Sequence, residues 1–337
     1  MKNEATEGAF VISLDFELMW GMFDKVTHDE YGAQLDGVSS AIPKILALFQ
    51  EYSIHATWAT VGMLMFENVD ELRYALSGMT VRPQYTNKEY SAYRHAGEGA
   101  LYALPHRYFA SHLVKKIIET PNQELASHTF SHYYCLEEQQ IDTENAFTAD
   151  AEALQNVAQK FNRTLQSIVF PRNQWNTEAL TVLKKLGYKT FRGTENHILY
   201  NAKNDSRQNN PLLRIFRLID NYINISGHHT YKLTSVQSSD TGLVNVPSSR
   251  FLRPYSKLFA FMEPLRLRRI KNTMTHAAKN GEIYHLWWHP HNFGINQEEN
   301  LSFLKSILEH YKYLETKYGM KSRSMLGVAT HESESLA

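Results

Sequence analysis

Four short segments of this chain hold side chains whose types and spacing could support metal-assisted acid–base chemistry. The first is Ser13-Leu14-Asp15-Phe16-Glu17. In a strand, positions two apart face the same way, about 6–7 Å apart at roughly 3.3 Å per residue. Asp15 and Glu17 can therefore converge on one spot without both binding the same ion. The second is His128-Thr129-Phe130-Ser131-His132, whose histidines at i and i+4 would share one face of a helical turn and suit a common metal ion. Two imidazoles on a divalent ion call for a carboxylate to complete a facial set, with positions left open for water and substrate.

The third segment is Phe170-Pro171-Arg172-Asn173-Gln174-Trp175-Asn176, where Arg172 could pair with a carboxylate and keep it ionised and oriented. A plain structural salt bridge is the duller alternative. The fourth is His285-Leu286-Trp287-Trp288-His289-Pro290-His291. Either His289 or His291 could protonate a leaving amine, since histidine titrates near working pH. Trp287 and Trp288 could stack on a sugar ring, although strand aromatics more often belong to a core. Taken singly, none of these signals is specific: an isolated D-x-E commonly marks a strand emerging into solvent, and the chain has 16 histidines.

The elements that must position these residues are legible in outline. Phe10 to Leu14 is a nearly continuous apolar run, as in a parallel strand buried on both faces. Val38 to Phe49 carries Ile42, Ile45, Leu46 and Phe49 at helical spacing, with Pro43 expected in the first turn. His55 to Val61 follows as a second strand. Downstream, Gln166 to Phe170 reads as a strand, Thr177 to Leu186 as a helix capped by Asn176 and stopped by Gly187, and Tyr188 to Phe191 as another strand. Glu282 to Trp288 is a strand and Gln297 to Tyr318 a long amphipathic helix. Alternation of this kind predicts an α/β fold, with the first, third and fourth segments at strand ends where barrels place catalysis. The expected organisation is one domain over 8–325, with insertions near 66–120 and 195–275 and a loose tail over 326–337.

Composition narrows the class. Among 337 residues, Lys+Arg and Asp+Glu both number 35, so no basic excess points to nucleic acid. The basic run Leu265 to Lys271 reads as a solvated helix face that could also touch a membrane surface or an anionic carrier. Cys135 is the single cysteine, which excludes an internal disulfide and suits a reducing compartment. Met1 to Gly8 lacks the apolar core of a signal peptide, and no later stretch reaches the roughly 20 apolar residues of a membrane span. These features lead us to expect a cytoplasmic protein.

In this order, the four segments resemble the motifs of the polysaccharide deacetylase family (NodB-homology, carbohydrate esterase family 4-like). Ser-Leu-Asp-Phe-Glu stands where the family often has T-F-D-D-G, and His128 to His132 matches H-[ST]-x-x-H fully. F-P-R-N-Q-W-N is a variant of the arginine motif, and H-L-W-W-H-P-H fits the last motif loosely. The resemblance implies a distorted (β/α) barrel binding one divalent ion, usually Zn, with Co, Ni, Fe or Mn as alternatives. It implies Asp15 as base, steadied by Arg172, and Glu17, His128 and His132 as metal ligands, with Asp15 as the alternative ligand. His289 becomes the acid, and Trp175, Trp288 and His291 the substrate contacts. The family's fourth motif has no direct match here, and Asp220 is the candidate for it. The implied reaction is hydrolysis of an N-acetyl group on a sugar, on a polysaccharide, oligosaccharide or carrier-linked precursor. The adjacent Asp-Asp has become Asp-x-Glu, a form associated with surface-polysaccharide synthesis and with relatives that cleave other amides. Rival readings are therefore an amide hydrolase acting on a small non-sugar or other N-acyl substrate, and a non-catalytic carbohydrate-binding relative. Oligomeric state is not readable.

Overall fold

Strand β1 (Ala9–Phe16) is buried along its whole length in the computed structural model, which describes residues 7–97, 99–137, 143–195, 197, 199–200, 210–232 and 241–335, with side chains to residue 330 in the last stretch. Strand alternation sorts the side chains of β1 into two rows. Phe10, Ile12, Leu14 and Phe16 join the large apolar layer between sheet and helices. Ala9 and Val11 instead meet Ala59, Ala126, Val169 and Ile283 in a separate small cluster. Contact among residues from strands that are not neighbours is what the inside of a curled sheet produces. Ser13 and Asp15 continue this inner row.

The other strands are β2 (Ala56–Thr60), β3 (Gln123–Ser127), β4 (Ser167–Val169), β5 (Thr190–Arg192), β6 (Tyr231–Lys232), β7 (Val244–Asn245), β8 (Arg250–Phe251), β9 (Glu282–Trp288) and β10 (Lys321–Arg323). Their order is β6-β9-β1-β2-β3-β4-β5-β7, with β10 also on β1 and β8 also on β9. Among the described residues every pairing is parallel except β6 with β9. The stretch from β7 to β8 bridges the two ends of the sheet: Val246 N–H donates to Phe191 O at 2.9 Å and Ser249 N–H to His285 O at 2.8 Å. This is the α/β fold that the alternation predicts, in the distorted (β/α) barrel form that the family resemblance implies.

Helices cover the outside. Helix Val38–Glu51 connects β1 to β2 and buries Ile42, Ile45, Leu46 and Phe49, the positions its periodicity marked. Each such side chain contributes about 1.5–3 kcal/mol by leaving water. Pro43 lies inside this helix rather than in its first turn. Helix Thr177–Lys185 starts where Asn176 accepts from Ala179 N–H at 2.8 Å, as its sequence signal indicated. Helices Glu263–Asn280 and Gln297–Tyr318 flank β9 in the chain.

Two sequence expectations shift. Residues 195–275 lie less apart from the barrel than an insertion would, because they supply β6, β7 and β8 to the sheet. The segment read as a loose tail begins as helix Met325–Ser335, whose Met325 and Val328 are fully buried in the inner cluster. Apolar spacing over only one turn is too short a signal to see from sequence. Among the described residues no helix is long and apolar enough to cross a membrane.

Candidate metal and active site

Asp15 ends the inner row of β1, and Glu17 follows one residue past the strand. Both are buried, as are His128 and His132. The histidine segment does not form a helical turn. It is the loop after β3, and Thr129 and His132 take left-handed backbone angles of φ 60° and 55°. This loop is held from below by Asp150 on helix Thr143–Gln159. Asp150 accepts from Phe130 N–H at 2.7 Å and Ser131 N–H at 3.1 Å, and also from the Ser131 hydroxyl. Burial pushes the Asp150 carboxyl up to about 6 in spite of these donors. Other residues near the site share the left-handed conformation, namely Leu18, Arg172 and Asn173, a concentration of backbone strain typical of functional sites.

The two imidazoles turn the same kind of atom toward Glu17. His128 Nδ1 lies 2.8 Å from the carbonyl of Val169, so its N–H points there. His132 Nδ1 lies 3.1 Å from the Tyr134 hydroxyl, which in turn donates to Asp24 at 3.3 Å. Those tautomers leave both Nε2 lone pairs facing Glu17 Oε2, at 3.3 Å and 3.1 Å. Three acceptors aimed at one another repel unless a cation stands among them. One ligand atom from each of Glu17, His128 and His132 falls within 4.8 Å of the others, so these residues could hold a metal ion. Asp15 is not part of that group. Without an ion, burial would raise the Glu17 carboxyl, but protons on His289, His128 and His132 would hold it well below the usual range.

Asp15 is gripped instead by Arg192, the last residue of β5. Both guanidinium Nη atoms lie 2.7 Å from its two oxygens. Burial would raise the Asp15 carboxyl, but Arg192, with His128 and His289 beside it, keeps it below its ordinary value. Arg192 is held in turn: it donates to Ser13 Oγ at 2.9 Å and Asn173 Oδ1 at 3.0 Å, and its guanidinium lies over the Trp287 ring at 4.2 Å. Ser13 also meets His285 Nε2 at 2.8 Å. Burial and the Arg192 cation push His285 down to about 3, so it stays neutral here.

The arginine assigned from sequence therefore does a different job. Arg172 pairs with Asp24 and lies over the Tyr134 ring at 3.8 Å, so it supports the His132 side and not Asp15. His289 is where the sequence put it, with Nε2 3.6 Å from Glu17 and 3.9 Å from Asp15, and is partly exposed. His291 is stacked beneath it at 4.9 Å, is buried, and is pushed down to about 3 by burial and then by His289. It supports His289 and does not face the cavity. Trp288 is fully buried between Phe49 and Phe293, because strand alternation turns it to the helix layer and gives the cavity Trp287. Trp175 packs on Phe191 at 5.1 Å and does not line the cavity. Asp220 is locked to Arg250 and Tyr200, at 3.3 Å and 2.7 Å, and is no partner of His289.

The sequence reading missed Arg192. Its signal was available: a charged residue closing a short apolar strand, the same feature that singled out Asp15. Ser13, Asp24 and Tyr134 gave no such signal, because their roles depend on contacts across the barrel.

These groups line a cavity of about 320 Å³ floored by Asp15, Glu17, His128 and His132 and walled by Met22, Lys25, Arg172 and Trp287. A second bay of about 280 Å³, lined by Glu195, Arg217, Asn221, Phe251 and Arg253, shares Asn173, Trp287 and His289 with it.

Residues 35–191 match the family model of polysaccharide deacetylase. No curated protein matches the chain in sequence. Among solved structures, a Mycobacterium smegmatis protein provisionally named a polysaccharide deacetylase aligns at TM-score 0.59 and 13% identity, over 98% of this chain and 92% of that one. A 4-alpha-glucanotransferase from Thermococcus litoralis aligns at TM-score 0.50 and 10% identity, over 95% of this chain and 39% of the other. PdaC, a peptidoglycan deacetylase from Bacillus subtilis, aligns over 99% of this chain and 96% of that one at TM-score 0.40 and 9% identity. At these identities the first two show a shared fold.

Proposed function

We propose that this chain, whose residues 35–191 belong to the polysaccharide deacetylase family, is a metal-dependent hydrolase that removes an N-acetyl group from a sugar. The observation that carries the reading is the convergence of three metal-suited acceptors, Glu17, His128 and His132, beside an Asp15 held ionised by Arg192. A divalent ion bound there, Zn foremost, would polarise the acetamide carbonyl and lower the pKa of a bound water.

The chain's own residues supply the rest. Asp15 takes a proton from the attacking water, and the Arg192 fork fixes its orientation and keeps it charged until then. His289 hands a proton to the departing sugar nitrogen as acetate leaves. Trp287, on the wall shared by the two bays, offers a flat face to a sugar ring. The substrate we favour is a carrier-linked or oligomeric precursor in surface-polysaccharide synthesis, with the chain working as a single-domain cytoplasmic enzyme. Non-sugar amides are the alternative that the same chemistry permits.

Elemental analysis together with acetate release tests this. About one divalent ion per chain, lost in the His128→Ala/His132→Ala variant together with acetate release from N-acetylated sugars, is the expected result. No stoichiometric metal after reconstitution would remove the central claim. Metal without turnover on any sugar would move the reading to other amides or to carbohydrate binding.

A further inference from the structure

Helix Pro211–Asp220 is built inside out. Leu212, Ile215, Phe216 and Ile219 follow the i, i+3, i+4, i+7 spacing that normally faces a core. Here that stripe faces solvent, with Leu212 65% and Phe216 47% exposed, and Ile223 extends it. The helix is nonetheless anchored on its other side. Asp220 is fully buried against Arg250 and Tyr200, and Arg217 Nε donates to Leu199 O at 2.6 Å. The outward stripe is thus a fixed surface.

A second apolar group adjoins it. Leu258 and Phe261, 75% and 79% exposed, lie on the turn Lys257–Met262, and Leu265 follows on the next helix. Tyr222, just past the first helix, meets Phe259 of that turn at 6.4 Å, which brings the two groups together. Exposed apolar surface of this extent marks a docking site. The charges around it are one-sided. Of the Lys and Arg in residues 210–225 and 253–271, Arg266 and Arg269 are buried against Glu263 and Asp220, the two acids of these stretches. Those two acids are already engaged, Asp220 with Arg250 and Glu263 with Arg266. Arg214, Lys257 and Arg268 are exposed among the apolar side chains. Aliphatic and aromatic residues bordered by exposed cations complement an anionic lipid surface.

We infer that this face docks on the surface of an anionic bilayer. Arg217 and Asn221 of the same helix segment line the bay that opens into the active-site cavity, so docking brings that entrance to the membrane. A sugar on a lipid carrier is the substrate such docking would serve, a clause that rests on the deacetylase reading.

Vesicle co-sedimentation tests the docking. Vesicles with about 30 mol% phosphatidylglycerol should bind the purified chain at least about tenfold more tightly than pure phosphatidylcholine, and salt should weaken binding. Ile215→Glu/Phe216→Glu should cut that binding roughly 10- to 100-fold. Lys257→Glu/Arg268→Glu, which leaves the apolar stripe intact, should cut it about 30-fold. Circular dichroism melts should match the parent. Absent or equal binding to both vesicles overturns the inference. So does a wild-type dimer that Ile215→Glu/Phe216→Glu dissociates, since a second copy then covers the face. Metal content and acetate release from a soluble N-acetylated oligosaccharide, measured on the same preparations, should be unchanged in both variants. Their loss in the wild type would sink the deacetylase reading while leaving the vesicle result standing.

Discussion

Arg192 and Asp15 face each other as a fork on a carboxylate, with both Nη–O distances at 2.7 Å, although they lie 177 positions apart in the chain. The pair closes a buried row that runs from the carbonyls of Val246 and Pro247 through His285 and Ser13 to Arg192. Each member fixes the next, so the orientation of Asp15 is set by residues from β1, β5 and β9.

Arg192→Lys keeps the charge but loses the bidentate geometry, and that exchange is not conservative at a fork. Turnover should fall roughly 100-fold, the scale of a misplaced catalytic group, while bound metal stays at the parent level. Arg192→Ala should cost about 3–5 kcal/mol of stability, because it strands a buried carboxylate. Acetate release beside elemental analysis, and urea denaturation, read the two effects. Unchanged turnover in Arg192→Lys would remove Arg192 from the site.

The sequence carried the local half of this arrangement. β1, β9 and the long helix after β9 showed in apolar runs and periodicity, because each element buries a face that its own residues define. Glu17 and His289 stood out because they sit where expected strands run out, and His128 and His132 because of their spacing, although the helical turn that spacing suggested is a loop after β3. What did not show was partner choice. Arg192 ends β5 and Arg172 follows shortly after β4, and only the curl of the sheet decides that Arg192 reaches Asp15 while Arg172 reaches Asp24. The exchange of Trp288 for Trp287 has a similar origin, since one residue of register moves a side chain to the opposite face.

Tyr134 sets the tautomer of His132 by accepting its Nδ1–H and donating to Asp24. In Tyr134→Phe that ring loses its acceptor, and metal affinity should drop on the order of 10- to 100-fold. Arg172→Ala should act in the same direction through Asp24, with Asp15 left in place. Competition against a chelator measures both. Equal affinity in Tyr134→Phe would show that the Nδ1 contact does not orient the ligand.

Gly21 leaves room for Glu17. A Cβ at this position would collide with the Glu17 carboxylate, and the flexible carboxylate is the part able to move. Gly21→Ala should therefore displace the proposed metal ligand Glu17 with little loss of fold, lowering metal occupancy and turnover together. A melting curve near that of the parent, alongside reduced metal by elemental analysis, is the expected pair of results. Full occupancy would mean that Glu17 has another workable position.

His285 and His291 are both pushed down to about 3 by burial. In the unfolded chain each takes up a proton near the ordinary histidine value of about 6.5. Between those limits the unfolded state binds more protons, so stability rises with pH and is lost as pH falls from about 6.5 toward 3. From pH 7 to 5 each histidine should account for roughly 2 kcal/mol of that loss. His285→Gln keeps a polar group beside Ser13 but cannot titrate, and should flatten the pH dependence by that amount whatever it does to stability at pH 7. Urea denaturation of metal-free protein at the two pH values measures it, since bound metal would add its own competition with protons at His128 and His132. A slope equal to the parent's would mean that His285 is protonated in the folded state, and the row from His285 to Asp15 would then need a different set of donors.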